Sequence, residues 1–254
     1  MLKCENLTFR YGRNQPVLRG ASFSLEQGQI GIVLGKNGSG KTTLFKNILG
    51  IHTPQSGKIR FDGENLLKMK RTERSRRIAY VPQDIHFGAL SVFDSILMGR
   101  ISHFGLKAGK EDFLAVQKII RDMGLEDFAA RNVDQLSGGE RQKIAIARAM
   151  AQEPKMMIFD EPTGNLDIAN EQLILTEAKK LAREKNISIL SSLHDLNQAL
   201  YFGDRFFFLK EGVVKYSGGP ECFTAEVIRD VFDIDVSIAE VEGRKVVLGV
   251  TGAL

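Results

Sequence analysis

Apolar residues run along this chain in two rhythms, short β-branched blocks bounded by glycine and longer stretches with helical spacing. Leu2 to Phe9 alternates loosely into Arg10-Tyr11-Gly12 and predicts an edge strand. Val17-Leu18 and Ala21 to Leu25 predict further strand, and the unbroken run Ile30-Gly31-Ile32-Val33-Leu34 predicts a buried one. Thr43 to Leu49 has helical spacing, with Gly50 as its stop. Lys58 to Phe61 and Ile78 to Val81 predict two more strands. From 84 to about 150 the texture turns helical. Ser91 caps a helix with Phe93, Ile96 and Leu97 on one face, and Glu111 to Met123 carries a stripe of Phe113, Val116, Ile120 and Met123. Strands return at Met156 to Phe159 and Ile187 to Leu193, followed by a short helix from Asp195 to Phe202. Arg205 to Leu209 and Val213 to Ser217 predict a hairpin, Thr224 caps a helix to Phe232, and Val236 to Val250 predicts a last hairpin turning at Glu242-Gly243. The alternation of strands and helices is that of an α/β core, with an inserted helical block.

Chemistry concentrates where these elements meet. Gly35-Lys36-Asn37-Gly38-Ser39-Gly40-Lys41-Thr42 fits G-x-x-x-x-G-K-[ST] between a predicted strand and a predicted helix, where that pattern makes a phosphate cradle. Its glycines let backbone N–H groups approach an anion that the helix N-terminus also favours, Lys41 reaches the β- and γ-phosphates, and the Thr42 hydroxyl suits Mg²⁺. A nucleoside-triphosphate site is expected. Ser137-Gly138-Gly139 repeats this physics at a second predicted helix start. A simple Ser cap accounts for Ser137 but not for two glycines that each cost about 1 kcal/mol in a helical turn. The strand Met156 to Phe159 delivers Asp160-Glu161 at its carboxyl end, where ligands bind in open α/β sheets. There one acid suits Mg²⁺ and the next suits an attacking water. Two readings stand for His194: a hydrogen-bonded strand-end histidine, or a γ-phosphate contact. Two also stand for Tyr11, a half-buried strand-end aromatic or a stacking partner for a purine. His52, His86 and His103 have no motif around them and read as surface or structural.

Composition narrows the class. The 254 residues are 43% apolar and 26% charged, ordinary for a globular protein of one large or two small domains. A net charge of +4 falls far short of a nucleic-acid-binding signal, so no nucleic-acid partner is expected. Cys4 and Cys222 lie too far apart for a metal knuckle and read as free thiols. No apolar run approaches the ~18 residues a membrane span needs, and no signal-peptide pattern opens the chain, so a cytoplasmic protein is expected. Six basic side chains lie between Lys68 and Arg77 against one acid, Glu73. Such a run is a solvated face, or a surface turned toward lipid headgroups or a membrane partner.

Taken together these motifs resemble the ATPase subunit of an ABC transporter over nearly the whole chain. The Walker A loop is Gly35 to Thr42, the Q-loop glutamine is Gln83, and the signature is Leu136-Ser137-Gly138-Gly139-Glu140. Walker B is Met156 to Asp160 with Glu161 after it, the D-loop is Gly164-Asn165-Leu166-Asp167, and the switch histidine is His194. The resemblance implies a P-loop NTPase core of mixed sheet, with an N-terminal antiparallel β subdomain, over 1–83 and 151–220. It also implies a helical subdomain over 84–150 and a short tail over 221–254. It implies ATP and Mg²⁺, with Tyr11 on the adenine and the phosphates held by Gly35, Asn37, Gly38, Ser39, Gly40, Lys41, Thr42 and Thr43. The metal would lie on Thr42, Gln83 and Asp160. Glu161 would be the base, assisted by Lys41, Gln83 and His194. Ser137, Gly138, Gly139 and Asp167 would reach the ATP of a second copy in a head-to-tail dimer.

The further partners implied are integral-membrane permease subunits and, through them, a substrate-binding protein, with the chain peripheral on the inner face of the membrane. Ser91 to Arg100 and His194-Asp195-Leu196-Asn197-Gln198-Ala199 look like ATPases of importers for iron–siderophore, haem, cobalamin and related metal chelates. Gly164-Asn165 departs toward lipoprotein-release and efflux subunits, which leaves the cargo open, metal ions and molybdate included. Ser137 follows Lys41 by only 96 positions, which excludes chromosome-maintenance types with long coiled coils. A soluble ATPase of iron–sulfur assembly remains an alternative of a different class.

Overall fold

The computed structural model describes residues 1–13, 15–164 and 166–249. In chain order it forms β1 (Leu2–Phe9), β2 (Leu18–Leu25), β3 (Ile30–Leu34), α1 (Lys41–Ile48), β4 (Ser56–Phe61), β5 (Glu64–Asn65), α2 (Arg71–Arg77) and β6 (Ile78–Val81). Then come α3 (Val92–Leu97), α4 (Lys110–Asp122), α5 (Gly138–Met150), β7 (Met156–Asp160), α6 (Ile168–Lys185), β8 (Ser188–Ser192) and α7 (Leu196–Phe202). The chain closes with β9 (Arg205–Lys210), β10 (Val213–Gly218), α8 (Ala225–Phe232), β11 (Val236–Val241) and β12 (Arg244–Gly249).

Two compact units result, Met1–Lys68 with Ser188–Leu254, and Met69–Ile187. In the first, β9, β3 and β8 are parallel neighbours and β10 joins β9 antiparallel, a mixed sheet. Every residue of β3 and β8 is buried, which is why their runs are continuous rather than alternating. A second sheet, in the order β2-β1-β4-β5, is antiparallel and alternates buried with exposed positions. The expected edge strand at 2–9 is therefore an interior strand, paired with both β2 and β4. A bulge around Asn6, whose φ is 50°, breaks its alternation and disguises it.

The second unit packs α3, α4, α5 and α6 around the parallel pair β6–β7. The expected 84–150 subdomain lies wholly inside it, together with residues 69–83 and 151–187 of the expected core. Val116, Ile120 and Met123 of the expected α4 stripe are buried, but Phe113 is 42% exposed. It sits in the first turn and stacks on Phe93 at 5.9 Å instead of entering the core. Two helices went unpredicted. The helix α2 buries no residue, whereas α6 buries Ile174, Leu175, Ala178, Leu181 and Ala182 at helical spacing. Val250, at the end of the expected last hairpin, lies outside the described residues.

Candidate functional site

In the first unit β3 delivers the phosphate loop. Gly35 is buried so tightly that a Cβ there would lie 2.3 Å from Leu209 O. Lys36, Asn37 and Gly38 are exposed, and Gly38 and Gly40 take φ of 80° and 106°, left-handed values that favour glycine. Gly40 is the N-cap of α1 and supplies no side-chain cap. The ammonium of Lys41 is buried and donates to Gly35 O at 2.9 Å, so it lies folded along the loop it would serve. Ser39 Oγ is buried with no hydrogen-bond partner among the described residues. An orphaned hydroxyl, uncapped N–H groups and a folded-in ammonium fit a polyphosphate. Thr42 is exposed, and Thr43 is buried in the first turn of α1.

Tyr11 stands beside this helix. Its hydroxyl lies 3.2 Å from Thr43 Oγ1 and 3.3 Å from His52 Nε2, and its ring, 41% exposed, packs edge-on to Phe9 and His52. His52 stacks in turn on Phe9 at 5.0 Å. A histidine with no motif around it thus belongs to an aromatic cluster at the loop, a tertiary fact with no local sequence signal. His194 follows β8, is exposed, and immediately precedes Asp195, the N-cap of α7.

In the second unit β7 ends in Asp160, only 3% exposed. Tyr80 of β6 donates its hydroxyl to Asp160 Oδ2 at 3.3 Å. Burial and then the neighbouring carboxylate push the Tyr80 phenol well above its ordinary pKa, so it stays a donor. Sequence reading placed Tyr80 in a strand and missed this contact. Glu161 has φ 54°, a left-handed conformation that costs a non-glycine residue of the order of 1 kcal/mol. Gln83 is exposed, its Nε2 3.8 Å from where a Gly164 Cβ would stand.

The signature stretch forms the start of α5. Ser137 caps it, accepting from Glu140 N at 3.3 Å, while the Glu140 carboxylate accepts from Ser137 N at 2.7 Å, a complete capping box. Gly138 is exposed, with its hypothetical Cβ 3.6 Å from Leu166 Cδ2, whereas a Cβ on Gly139 would lie 2.1 Å from Asn170 Oδ1. Asn170 is itself fixed by Asp167, which caps α6 by accepting from Asn170 N at 2.8 Å and from its Nδ2 at 2.9 Å. The D-loop aspartate and the signature glycine are thus joined through one asparagine. Asn165 lies outside the described residues.

Among the described residues no three His, Cys, Asp or Glu side chains cluster as a metal site. The buried Asp160 carboxylate still suits Mg²⁺, which takes few protein ligands and shares oxygens with a nucleotide. No helix among them is long and apolar enough to cross a membrane.

The family model described as ABC transporter matches residues 18–164, more than half of the chain. This chain belongs to the ABC transporter family. It is an ATP-binding, ATP-hydrolysing subunit of the α/β P-loop type. A relative, an uncharacterized ABC transporter ATP-binding protein of Methanocaldococcus jannaschii, is 36% identical over 98% of this chain and 97% of its own. The spermidine/putrescine import ATP-binding protein PotA of Mesoplasma florum is 37% identical over 87% of this chain, which spans only 62% of PotA. Among solved structures, one described as "an inward-facing conformation of a putative metal-chelate type ABC transporter" matches with a TM-score of 0.85 and 31% identity, covering 98% of this chain and 97% of that one.

Proposed function

We propose that this ABC ATPase energises import of a metal chelate of the iron–siderophore, haem or cobalamin kind. In this reading it works as a head-to-tail pair of identical chains bound to integral-membrane permease subunits, with a substrate-binding protein beyond them. The chain is then cytoplasmic, peripheral on the inner face of the membrane. The observation that carries the pairing is that one chain bears two glycine-flanked helix starts suited to phosphate, α1 and α5. A triphosphate seated on α1 of one copy offers its γ-phosphate to Ser137 and Gly138 of the other, so closure depends on the nucleotide. The cargo reading is supported by the end-to-end likeness to the metal-chelate type structure. The PotA likeness favours a second reading, polyamine import, but leaves more than a third of that longer protein unmatched.

In this mechanism Tyr11 packs against the base, and the loop from Gly35 to Thr43 holds the phosphates. Lys41 swings off Gly35 O onto the β- and γ-oxygens. Glu161 takes the proton of the attacking water, Gln83 helps to place that water, and His194 holds the γ-phosphate in line for it. Thr42, Asp160 and Gln83 would hold Mg²⁺, which neutralises the charge that builds on the phosphate oxygens. The test is a detergent pull-down of the tagged chain from its native membranes, with partners identified by mass. A many-span permease with a chelate-binding protein is the expected result. A polyamine-binding partner would transfer the function to the second reading, and recovery with a soluble iron–sulfur-assembly scaffold alone would cancel the transport reading.

A further inference from the structure

The stretch His194 to Ala199 was tied by its sequence to a class of cargo, yet in the structure its asparagine does mechanical work inside the chain. Asn197 Nδ2 donates to Val247 O at 3.0 Å, and Val247 N donates to Asn197 Oδ1 at 2.8 Å. The side-chain amide thereby supplies the pair of bonds a third strand would give to β12. Both polar groups of Val247 face Asn197, so they face away from β11, where Val247 stands opposite Ile238 as a non-hydrogen-bonded pair. One turn along α7, the Arg244 guanidinium covers the Tyr201 ring at 5.8 Å from its centroid. The same C-terminal segment is anchored by Lys245, which donates to Phe223 O at 3.2 Å, and by Asp233, which pairs with Lys36 of the phosphate loop.

Neither partner is strong alone. A seven-residue helix is far below the length that is stable in water, and a two-stranded hairpin is marginal. Each therefore takes its position from the other. At its start, α7 is capped by Asp195, whose Oδ1 accepts from Gln198 N at 2.6 Å, and His194 is the residue just before that cap. Where α7 sits decides where the imidazole sits.

We propose that Asn197 is a positioning residue for His194, locking α7 onto the C-terminal hairpin so that the imidazole meets the γ-phosphate. The assignment rests on reading His194 as that contact. The test compares the ATPase kinetics of the full chain, purified with its membrane partner, in Asn197→Ala, His194→Ala and the double variant. Val247→Pro serves as a second lesion, removing the N–H that Asn197 accepts while sparing the ladder to β11. The expected result is a fall in kcat of about tenfold for Asn197→Ala with ATP affinity unchanged, since misplacing a group by a fraction of an ångström acts on the transition state. Val247→Pro should match it, and the double variant should be no slower than His194→Ala alone. If Asn197→Ala slows the His194→Ala protein by the same factor as the parent, the effect does not pass through His194 and the assignment is overturned. A parental kcat in both Asn197→Ala and Val247→Pro overturns it as well. A parental kcat in His194→Ala overturns the reading of His194 itself, and this assignment with it.

Discussion

Helices α1 and α5 both start beside glycine, α1 on Lys41 after Gly40 and α5 on Gly138 after Ser137, and they start in opposite ways. Gly40 enters α1 at φ 106° with no side-chain cap, and the first turn holds no acid. The positive end of α1 is therefore left to an outside anion. At α5 the chain brings its own anion: the Glu140 carboxylate accepts from both Ser137 N and Ser137 Oγ at 2.7 Å. Two helix starts that look alike in sequence thus differ in electrostatic state. The first is open. The second carries its own carboxylate, and in the proposed mechanism it adds to a triphosphate already held on α1 of the other copy.

The comparison breaks hardest at Gly35. A methyl there is driven against Leu209 O at 2.3 Å, so Gly35→Ala must displace the loop. ATP binding, followed by titration calorimetry, should weaken by about 10–100-fold, the equivalent of the ~1–3 kcal/mol that an overpacked methyl costs. Next come the two signature glycines, which the structure separates. Gly139→Ala collides with Asn170 and should cost about 1–3 kcal/mol in a denaturant melt. Gly138→Ala meets nothing closer than 3.6 Å and should leave the melt unchanged or raise it by about 0.5–1 kcal/mol. Loss of ATP-dependent pairing in Gly138→Ala at full stability would assign that glycine to the ligand, whereas equal destabilisation of both would make them merely structural.

The smallest effect concerns pH. Hydrogen bonds from the Ser137 hydroxyl and then the Ser137 N–H hold the Glu140 carboxyl below its ordinary pKa. A carboxylate depressed in the folded state stabilises the fold fully above the ordinary carboxylate range, and that stability is lost as pH falls through the lowered value. Melting temperature followed from neutral pH into acid should therefore fall less steeply in Glu140→Gln than in the parent.

Much of this was visible in the sequence. The strands β3 and β6 have the predicted bounds to the residue, because buried parallel strands are written as unbroken apolar runs. Caps at Ser91, Ser137 and Thr224 were equally plain, since a cap is local chemistry. What stayed hidden is tertiary. Nothing near His52 announces Phe9, nothing near Tyr80 announces Asp160, and Gly139 could be suspected but Asn170 could not be named. The helix α2 has no apolar face to betray it, and β1 was demoted to an edge by its bulge. The stripe of α6 was there to be read.

The central claim is that ATP is shared between the open helix start of one copy and the capped start of another. It is tested most directly by sedimentation of Glu161→Gln with and without saturating ATP. With hydrolysis blocked and binding intact, the account predicts an ATP-dependent doubling of mass that Gly138→Ala abolishes. A Glu161→Gln chain that binds ATP and stays a single copy would contradict it.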